Sequence, residues 1–64
     1  MIEWFAHVRI KETGITGIVV DIHTVKGIER FEVESDEKGT PGGYGDDSWK
    51  LYGCVESELE VIEE

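Results

Sequence analysis

Hydrophobic and polar side chains alternate along residues 2–11, which read IEWFAHVRIK. The positions of one parity carry Ile2, Trp4, Ala6, Val8 and Ile10. The other parity is mainly polar or charged, and only Phe5 breaks the pattern. A period of two sustained over ten residues predicts a β-strand with one buried face. The chain must therefore form a sheet, and other parts of the chain must cover its buried face.

The next stretch repeats this period and predicts a second strand over residues 16–24. Three β-branched residues in a row, at 18–20, favour strand over helix. The alternation predicts one face made of Ile18, Val20 and Ile22, and an opposite face made of Val19, Asp21 and His23. Residues 25–28, VKGI, then predict a hairpin turn, because Gly27 can adopt positive φ.

Three shorter strands are predicted in the rest of the chain. The third covers residues 29–35, with Phe31 and Val33 facing the core. The fourth covers residues 49–55 and is predicted to place Trp49, Leu51 and Val55 on one face and Tyr52 on the other. Gly53 within it indicates a bulge or a close backbone approach. A short 3-10 turn at 56–58 leads into a fifth strand.

Five short strands with glycine turns and no helical stretch are typical of a small barrel or sandwich. Closure into a barrel hides the strand edges of so short an all-β chain. Sixty-four residues leave room for one domain, residues 1–64.

Residues 8–22, VRIKETGITGIVVDI, resemble the KOW-type opening of SH3-like barrels. That opening is a V-x-I strand followed by G-x-x-G-x-V-x-x-I, and the matching positions here are Val8, Ile10, Gly14, Gly17, Val19 and Ile22. The tail GCVESELEVIEE resembles the end of such barrels, where a short turn precedes the last strand. The resemblance implies an all-β, five-stranded SH3-like barrel with a long loop between its third and fourth strands. An OB-like barrel is the alternative, although it normally has a longer chain and a helix between its third and fourth strands.

The net charge of the chain constrains the kinds of partner that it can bind. Fifteen acidic and six basic residues give a formal net charge of −9. Nucleic-acid binding depends mostly on neutralising phosphates with Lys and Arg, so we expect no nucleic-acid or membrane partner. KOW-type domains commonly bind RNA through basic loops, but the opening loop here carries Lys11 and Glu12 with no basic cluster. Basic or cationic proteins are the partners that the charge favours.

The single cysteine, Cys54, cannot form an internal disulfide, which is typical of a cytosolic protein. No segment reaches the roughly 20 apolar residues of a membrane helix, and residues 1–11 do not resemble a signal peptide. We therefore expect a soluble, cytoplasmic protein.

The longest predicted loop, residues 36–48, contains the candidate site. Its G-x-x-G-G-x-G run lacks the following helix and the cation of a phosphate site, and two aspartates oppose an anion. Its carboxylates lack the regular spacing of a calcium loop. Aromatic faces and carboxylates attract cations, so the predicted partner-binding residues are Tyr44, Asp46, Asp47, Trp49 and Tyr52. The alternative is that Trp49 belongs to the core and Tyr44 packs on the barrel. Trp4 is likewise expected in the core or capping one end of the barrel.

No catalytic, metal or cofactor site is predicted. Cys54 and either histidine, His7 or His23, would need a mutual geometry that the sequence does not show, and their spacing is not that of a zinc site. Both histidines fall on the outward parity of their strands. If they are adjacent across the strands, they would respond to mild acid.

The sequence therefore predicts a non-enzymatic acidic SH3-like module that mediates protein–protein contacts. The alternative is an acidic mimic of nucleic acid that inhibits a DNA- or RNA-binding protein. An enzyme is the least favoured function. A homodimer is also predicted to be accessible through an edge strand such as residues 2–10.

Overall fold

A computed structural model describes residues 2–45 and 49–62. Over these residues the chain forms one antiparallel sheet of five strands, which confirms the all-β prediction. The strands are β1 (His7–Ile10), β2 (Thr16–Val25), β3 (Ile28–Lys38), β4 (Trp49–Val55) and β5 (Leu59–Val61), and a 3-10 turn at Glu56–Glu58 precedes β5 as predicted. None of the described segments is a helix long and apolar enough to cross a membrane.

The strand order is β4-β3-β2-β1-β5, so β4 and β5 are the two edges of the sheet. In a flat sheet, four strand spacings would separate these edges by about 19 Å. The chain passes from Val55 to Leu59 in four residue steps, which reach about 14 Å at most. The sheet must therefore curl strongly, so that its edges approach each other at this turn and one face becomes concave.

The concave face forms the hydrophobic core. Val8, Val19, Phe31 and Val33 are fully buried. Around them lie Ile2, Ile10, Cys54 and Leu59, each at most 7% exposed. The predicted inward positions of β3, Phe31 and Val33, are confirmed.

The N-terminal segment differs from its prediction. Strand β1 begins only at His7, because a turn from Glu3 to Ala6 interrupts the alternation, with the Ala6 N–H donating to the Glu3 carbonyl at 3.1 Å. Trp4 is 52% exposed, so its prediction as a core residue is wrong. Strand β1 is paired on both sides, to β2 and β5, and offers no free edge for a second copy.

The predicted faces of β2 are wrong because the strand contains a β-bulge. Its register steps from Val19 opposite Val33 to Asp21 opposite Glu32, which leaves Val20 as the extra residue. One extra residue reverses the parity of a strand. Val19 and Ile22 therefore both lie on the core side, three positions apart.

The predicted division of β4 into two faces is confirmed, but the buried face is the one that carries Tyr52, not the one that carries Trp49. Tyr52 lies opposite Val33, and Cys54 lies opposite the fully buried Phe31. Residues directly opposite in an antiparallel pair share a face, so Tyr52 and Cys54 point to the core. Trp49 is on the other face and 46% exposed, which excludes a place in the core.

Gly53 differs from its predicted role. It sits in regular register, and a Cβ added there would meet nothing nearer than 3.5 Å, so the bulge and the close approach predicted for it are wrong. The close approach occurs instead at Gly17, within β2.

The hairpin turn between β2 and β3 is confirmed. Lys26 and Gly27 have φ of 53° and 80°. Positive φ at both central residues defines a type I′ turn, which matches the twist of the flanking strands.

The outer face of the sheet carries paired charges. The Asp36 carboxylate accepts hydrogen bonds from His7 Nε2 at 2.7 Å and from the Thr16 hydroxyl at 2.8 Å, which links β3 to β1 and β2. These contacts, the His7 hydrogen bond foremost, lower the pKa of Asp36. Arg9 on β1 pairs with Glu60 on β5. The two histidines are not adjacent, because His7 lies opposite Ile18 while His23 lies opposite Arg30.

Candidate functional site

A groove of about 250 Å³ opens where the β1–β2 loop faces the segment between β3 and β4. We call it the tyrosine groove. Its lining consists of Ile10, Glu12, Thr13, Pro41, Gly42, Tyr44, Leu51, Tyr52, Gly53, Cys54 and Glu58. Small-molecule sites usually measure about 300–1,000 Å³, so the size suits one or two side chains of a partner better than a whole cofactor.

Tyr52 anchors one wall of the groove. Its ring packs against the core, and its hydroxyl lies 2.6 Å from Thr40 Oγ1 and 2.7 Å from the Pro41 carbonyl oxygen. A carbonyl only accepts, so the Tyr52 hydroxyl donates to Pro41 and accepts from the Thr40 hydroxyl. These two bonds hold the segment 40–41 over the sheet edge.

Tyr44 forms the outer wall because the loop folds back onto β4. The Tyr44 N–H donates to the Leu51 carbonyl at 3.0 Å, and the Leu51 N–H donates to the Tyr44 carbonyl at 2.9 Å. A Cβ at Gly43 would lie 2.5 Å from Lys50 Cβ and 2.8 Å from Tyr52 Cζ, so only glycine allows this approach. Tyr44 remains 51% exposed, so it is accessible from solvent.

The floor of the groove is apolar and its rim is acidic. Ile10 and Cys54 are buried in the floor. The rim includes two acidic residues, Glu12 from the β1–β2 loop and Glu58 from the 3-10 turn. One Glu58 oxygen accepts the Val55 N–H at 2.9 Å, and this bond fixes the side chain at the turn. Two carboxylates beside two aromatic rings create a local preference for cations.

The only thiol of the chain, Cys54, lies in the floor of the groove. Burial, reinforced by the negative charge of Glu58, raises the pKa of the Cys54 thiol. A thiol is nucleophilic only as its thiolate, so Cys54 is a poor nucleophile near neutral pH. Among the described residues, no group of three or more His, Cys, Asp and Glu side chains could hold a metal ion.

The predicted site residues are only partly brought together. Tyr44 and Tyr52 line the same groove. Trp49 does not: Lys38 Nζ lies 4.7 Å from the centroid of its ring, so the chain's own cation occupies that face. Asp46 and Asp47 lie outside the described residues.

Sequence reasoning missed Glu12 and Glu58 as members of the site. They are far from Tyr44 in the chain and meet it only because β1 pairs with β5 while the 3-10 turn leads from β4 to β5. In the sequence, only the acidic residues that follow β4 indicated that a carboxylate would lie near the groove.

The chain matches no known family model, and no curated protein or solved structure proved similar to it. No relative therefore supplies a function by similarity.

Proposed function

We propose that this chain is a non-enzymatic, acidic SH3-like module of the cytoplasm that binds a basic segment of another protein in the tyrosine groove. The proposal rests on one observation. Two aromatic residues, Tyr44 and Tyr52, and two acidic residues, Glu12 and Glu58, line the same groove with an apolar floor. A lysine or arginine side chain fits this composition, because its stem can lie on apolar surface while its charged head stays at an acidic rim.

The SH3-like part of the proposal is supported by topology. A four-strand meander is followed by a last strand that returns to the first, and the sheet curls until its edges approach. We infer that the curl goes far enough to close a barrel. The net charge of −9 supports a basic partner, because it attracts cationic proteins over long range.

Mimicry of nucleic acid requires a continuous row of uncompensated charge. Glu32, Glu34 and Asp36 alternate along the outer face of β3, which spaces them by about 6.8 Å, close to phosphate spacing. However, Asp36 is bonded to His7, and Arg30 continues the same row. This short and partly neutralised row makes mimicry the second candidate.

A peptide titration tests the proposal. The probe is the basic peptide acetyl-KGKGKGK-amide, with the acidic peptide acetyl-EGEGEGE-amide as its counterpart, and amide NMR spectra report where each one binds. We expect shifts at residues 10–13, 40–44 and 51–58 with the basic peptide alone. Raising the ionic strength from about 0.1 M to about 1 M shortens the screening length from about 10 Å to about 3 Å, and binding should weaken accordingly.

Matched variants separate the groove from general charge. Glu12→Gln with Glu58→Gln should weaken peptide binding about tenfold or more, equivalent to about 1.4 kcal/mol. Glutamine at 58 keeps an oxygen that can accept the Val55 N–H. The control, Glu32→Gln with Glu34→Gln, removes the same charge from the outer face and should cost less than threefold. The opposite ranking would reject the groove and favour the outer-face row.

A further inference from the structure

A second groove lies beside the N-terminal turn and shares no lining residue with the tyrosine groove. Its volume is about 420 Å³, and its lining consists of Ile2, Glu3, Trp4, Ile22 and Glu29. We call it the Trp4 groove. It combines one exposed aromatic ring, two isoleucine side chains and two carboxylates.

The turn that presents Trp4 is strained. Phe5 has a φ of 65°, and Trp4 before it does not have positive φ, so Phe5 takes the third position of a type II-like turn from Glu3 to Ala6. Glycine or asparagine usually occupies that position. A bulky residue with positive φ is an outlier, and such strain is concentrated at functional sites.

The surrounding backbone holds the turn in place. The Phe5 N–H donates to the Val19 carbonyl at 2.8 Å, and the Val19 N–H donates to the Ala6 carbonyl at 3.0 Å. The Trp4 and Phe5 rings pack against each other, with centroids 6.2 Å apart. Phe5 does not line the groove, so its ring supports Trp4 from outside it. Both residues stay exposed, Trp4 at 52% and Phe5 at 69%.

The two carboxylates of this groove have no cation of their own. Across residues 2–45 and 49–62, the side chains of Glu3 and Glu29 make no ion pair or hydrogen bond. Glu60 and Asp36, by contrast, are paired within the chain. These two unpaired carboxylates beside an aromatic ring can therefore pair with a cation of a partner molecule.

We propose that the Trp4 groove binds an arginine side chain presented by a basic partner protein. The planar guanidinium stacks on the Trp4 indole, its stem lies along Ile2 and Ile22, and its N–H groups reach the carboxylates. Arginine suits this setting better than lysine, because it stacks on aromatic faces and presents several donors in a planar fork. This proposal does not depend on the tyrosine groove.

Titration with three short peptides tests it. The probes are acetyl-Gly-Arg-Gly-amide, its lysine counterpart and its citrulline counterpart, which keeps the shape of arginine without the charge. The reporter is the Trp4 indole N–H in amide NMR spectra of a Trp49→Phe protein, which leaves Trp4 as the only tryptophan. We expect saturable shifts of Trp4 and of residues 2–5, 22 and 29 with arginine, at least threefold weaker binding of lysine, and no saturable shift with citrulline.

Matched variants decide whether the groove itself is responsible. Glu3→Gln with Glu29→Gln should weaken arginine binding at Trp4 at least tenfold, whereas Glu12→Gln with Glu58→Gln should change it less than twofold. Phe5→Gly, which relieves the positive φ and removes the supporting ring, should weaken binding while preserving the fold, as judged by unshifted core amides.

Three results would overturn the proposal. Equal losses in the two double variants would mean that net charge alone attracts the peptide. Equal binding of citrulline would make the carboxylates irrelevant. Shifts of the Trp4 signals with protein concentration, in the absence of peptide, would show that a second copy of the chain covers the groove instead. The proposed function of the tyrosine groove is tested separately, because peptide binding there shifts the NMR signals of different residues.

Discussion

A Cβ placed on Gly17 would lie 2.3 Å from the carbonyl oxygen of Glu34 and 2.8 Å from Cγ1 of Val33. No side chain at this position fits between β2 and β3. We expect Gly17→Ala to lower the free energy of unfolding by about 3 kcal/mol, at the upper end of the usual cost of overpacking. Such a loss is a large fraction of the stability of a 64-residue domain.

Urea denaturation followed by tryptophan fluorescence measures this loss. Gly53→Ala is the control, because its Cβ would meet only side-chain atoms of Glu32 and Arg30 at ordinary contact distances. This substitution should leave the stability unchanged or raise it by up to about 1 kcal/mol, because glycine inside a strand is less stable than alanine. Equal costs at the two positions would contradict the close approach of β2 and β3.

Acid should weaken the link that Asp36 makes to β1 and β2. The His7 hydrogen bond, together with that from Thr16, lowers the pKa of Asp36 in the folded state below its ordinary 3.8. A depressed pKa contributes stability above the unfolded value, and this stability is lost as pH falls through the folded value. Because the Asp36 side chain is 36% exposed, solvent screening limits the contribution to about 0.2–1 kcal/mol.

Comparison of the wild type with Asp36→Asn, by urea denaturation at a series of pH values, checks this expectation. The wild type should be the more stable protein at pH 5, and its advantage should shrink as the pH falls below about 4. Glu34→Gln, on the same face, serves as the control. An advantage that grew on acidification would contradict the assigned direction.

Removal of the Tyr52 hydroxyl should loosen the wall of the tyrosine groove. Tyr52→Phe loses the bonds to Thr40 and Pro41, and we expect a loss of stability of about 1–2 kcal/mol together with faster hydrogen exchange at the Tyr44 amide. Tyr44→Phe is the matched control. Within the described part of the chain the Tyr44 hydroxyl makes no hydrogen bond, so its removal should change stability by less than about 0.5 kcal/mol.

The Cys54 thiol should be slow to react in the folded protein. It is 5% exposed, and burial raises its pKa, so little thiolate is present or accessible. At pH 8, modification by a disulfide reagent such as dithiobis-nitrobenzoate should proceed at least about tenfold more slowly than in the urea-unfolded chain. Equal rates in the two states would show that the floor of the groove is open.

The parts of the fold that depend on residues close together in the sequence were predictable. The bounds of β4, the 3-10 turn and the hairpin at Lys26 and Gly27 all follow from local pattern and local backbone preference. The faces of β2 were not predictable, because nothing in three consecutive β-branched residues marks Val20 as a bulge. Strand β4 has apolar side chains on both faces, so only its register against β3 decides which one is buried.

The candidate site was likewise predictable only in part from the sequence. Tyr44 and Tyr52 were found from their chemistry, and their loop supplies the glycines that bring them together. Trp49 has similar chemistry, yet its partner is Lys38, which lies directly opposite on β3. Glu12 and Glu58 depend on strand pairing between distant parts of the chain. Such pairing cannot be read from a local pattern.

The pairing of β1 with β5 has a consequence for biosynthesis. Val8 lies opposite Val61, so the first strand completes its hydrogen bonds only with residues at the other end of the chain. Leu59, in the same last strand, belongs to the buried cluster. The sheet therefore cannot be completed until β5 has left the ribosome. We expect the nascent chain to stay unfolded until that point, and a chain lacking β5 to be a target for proteolysis.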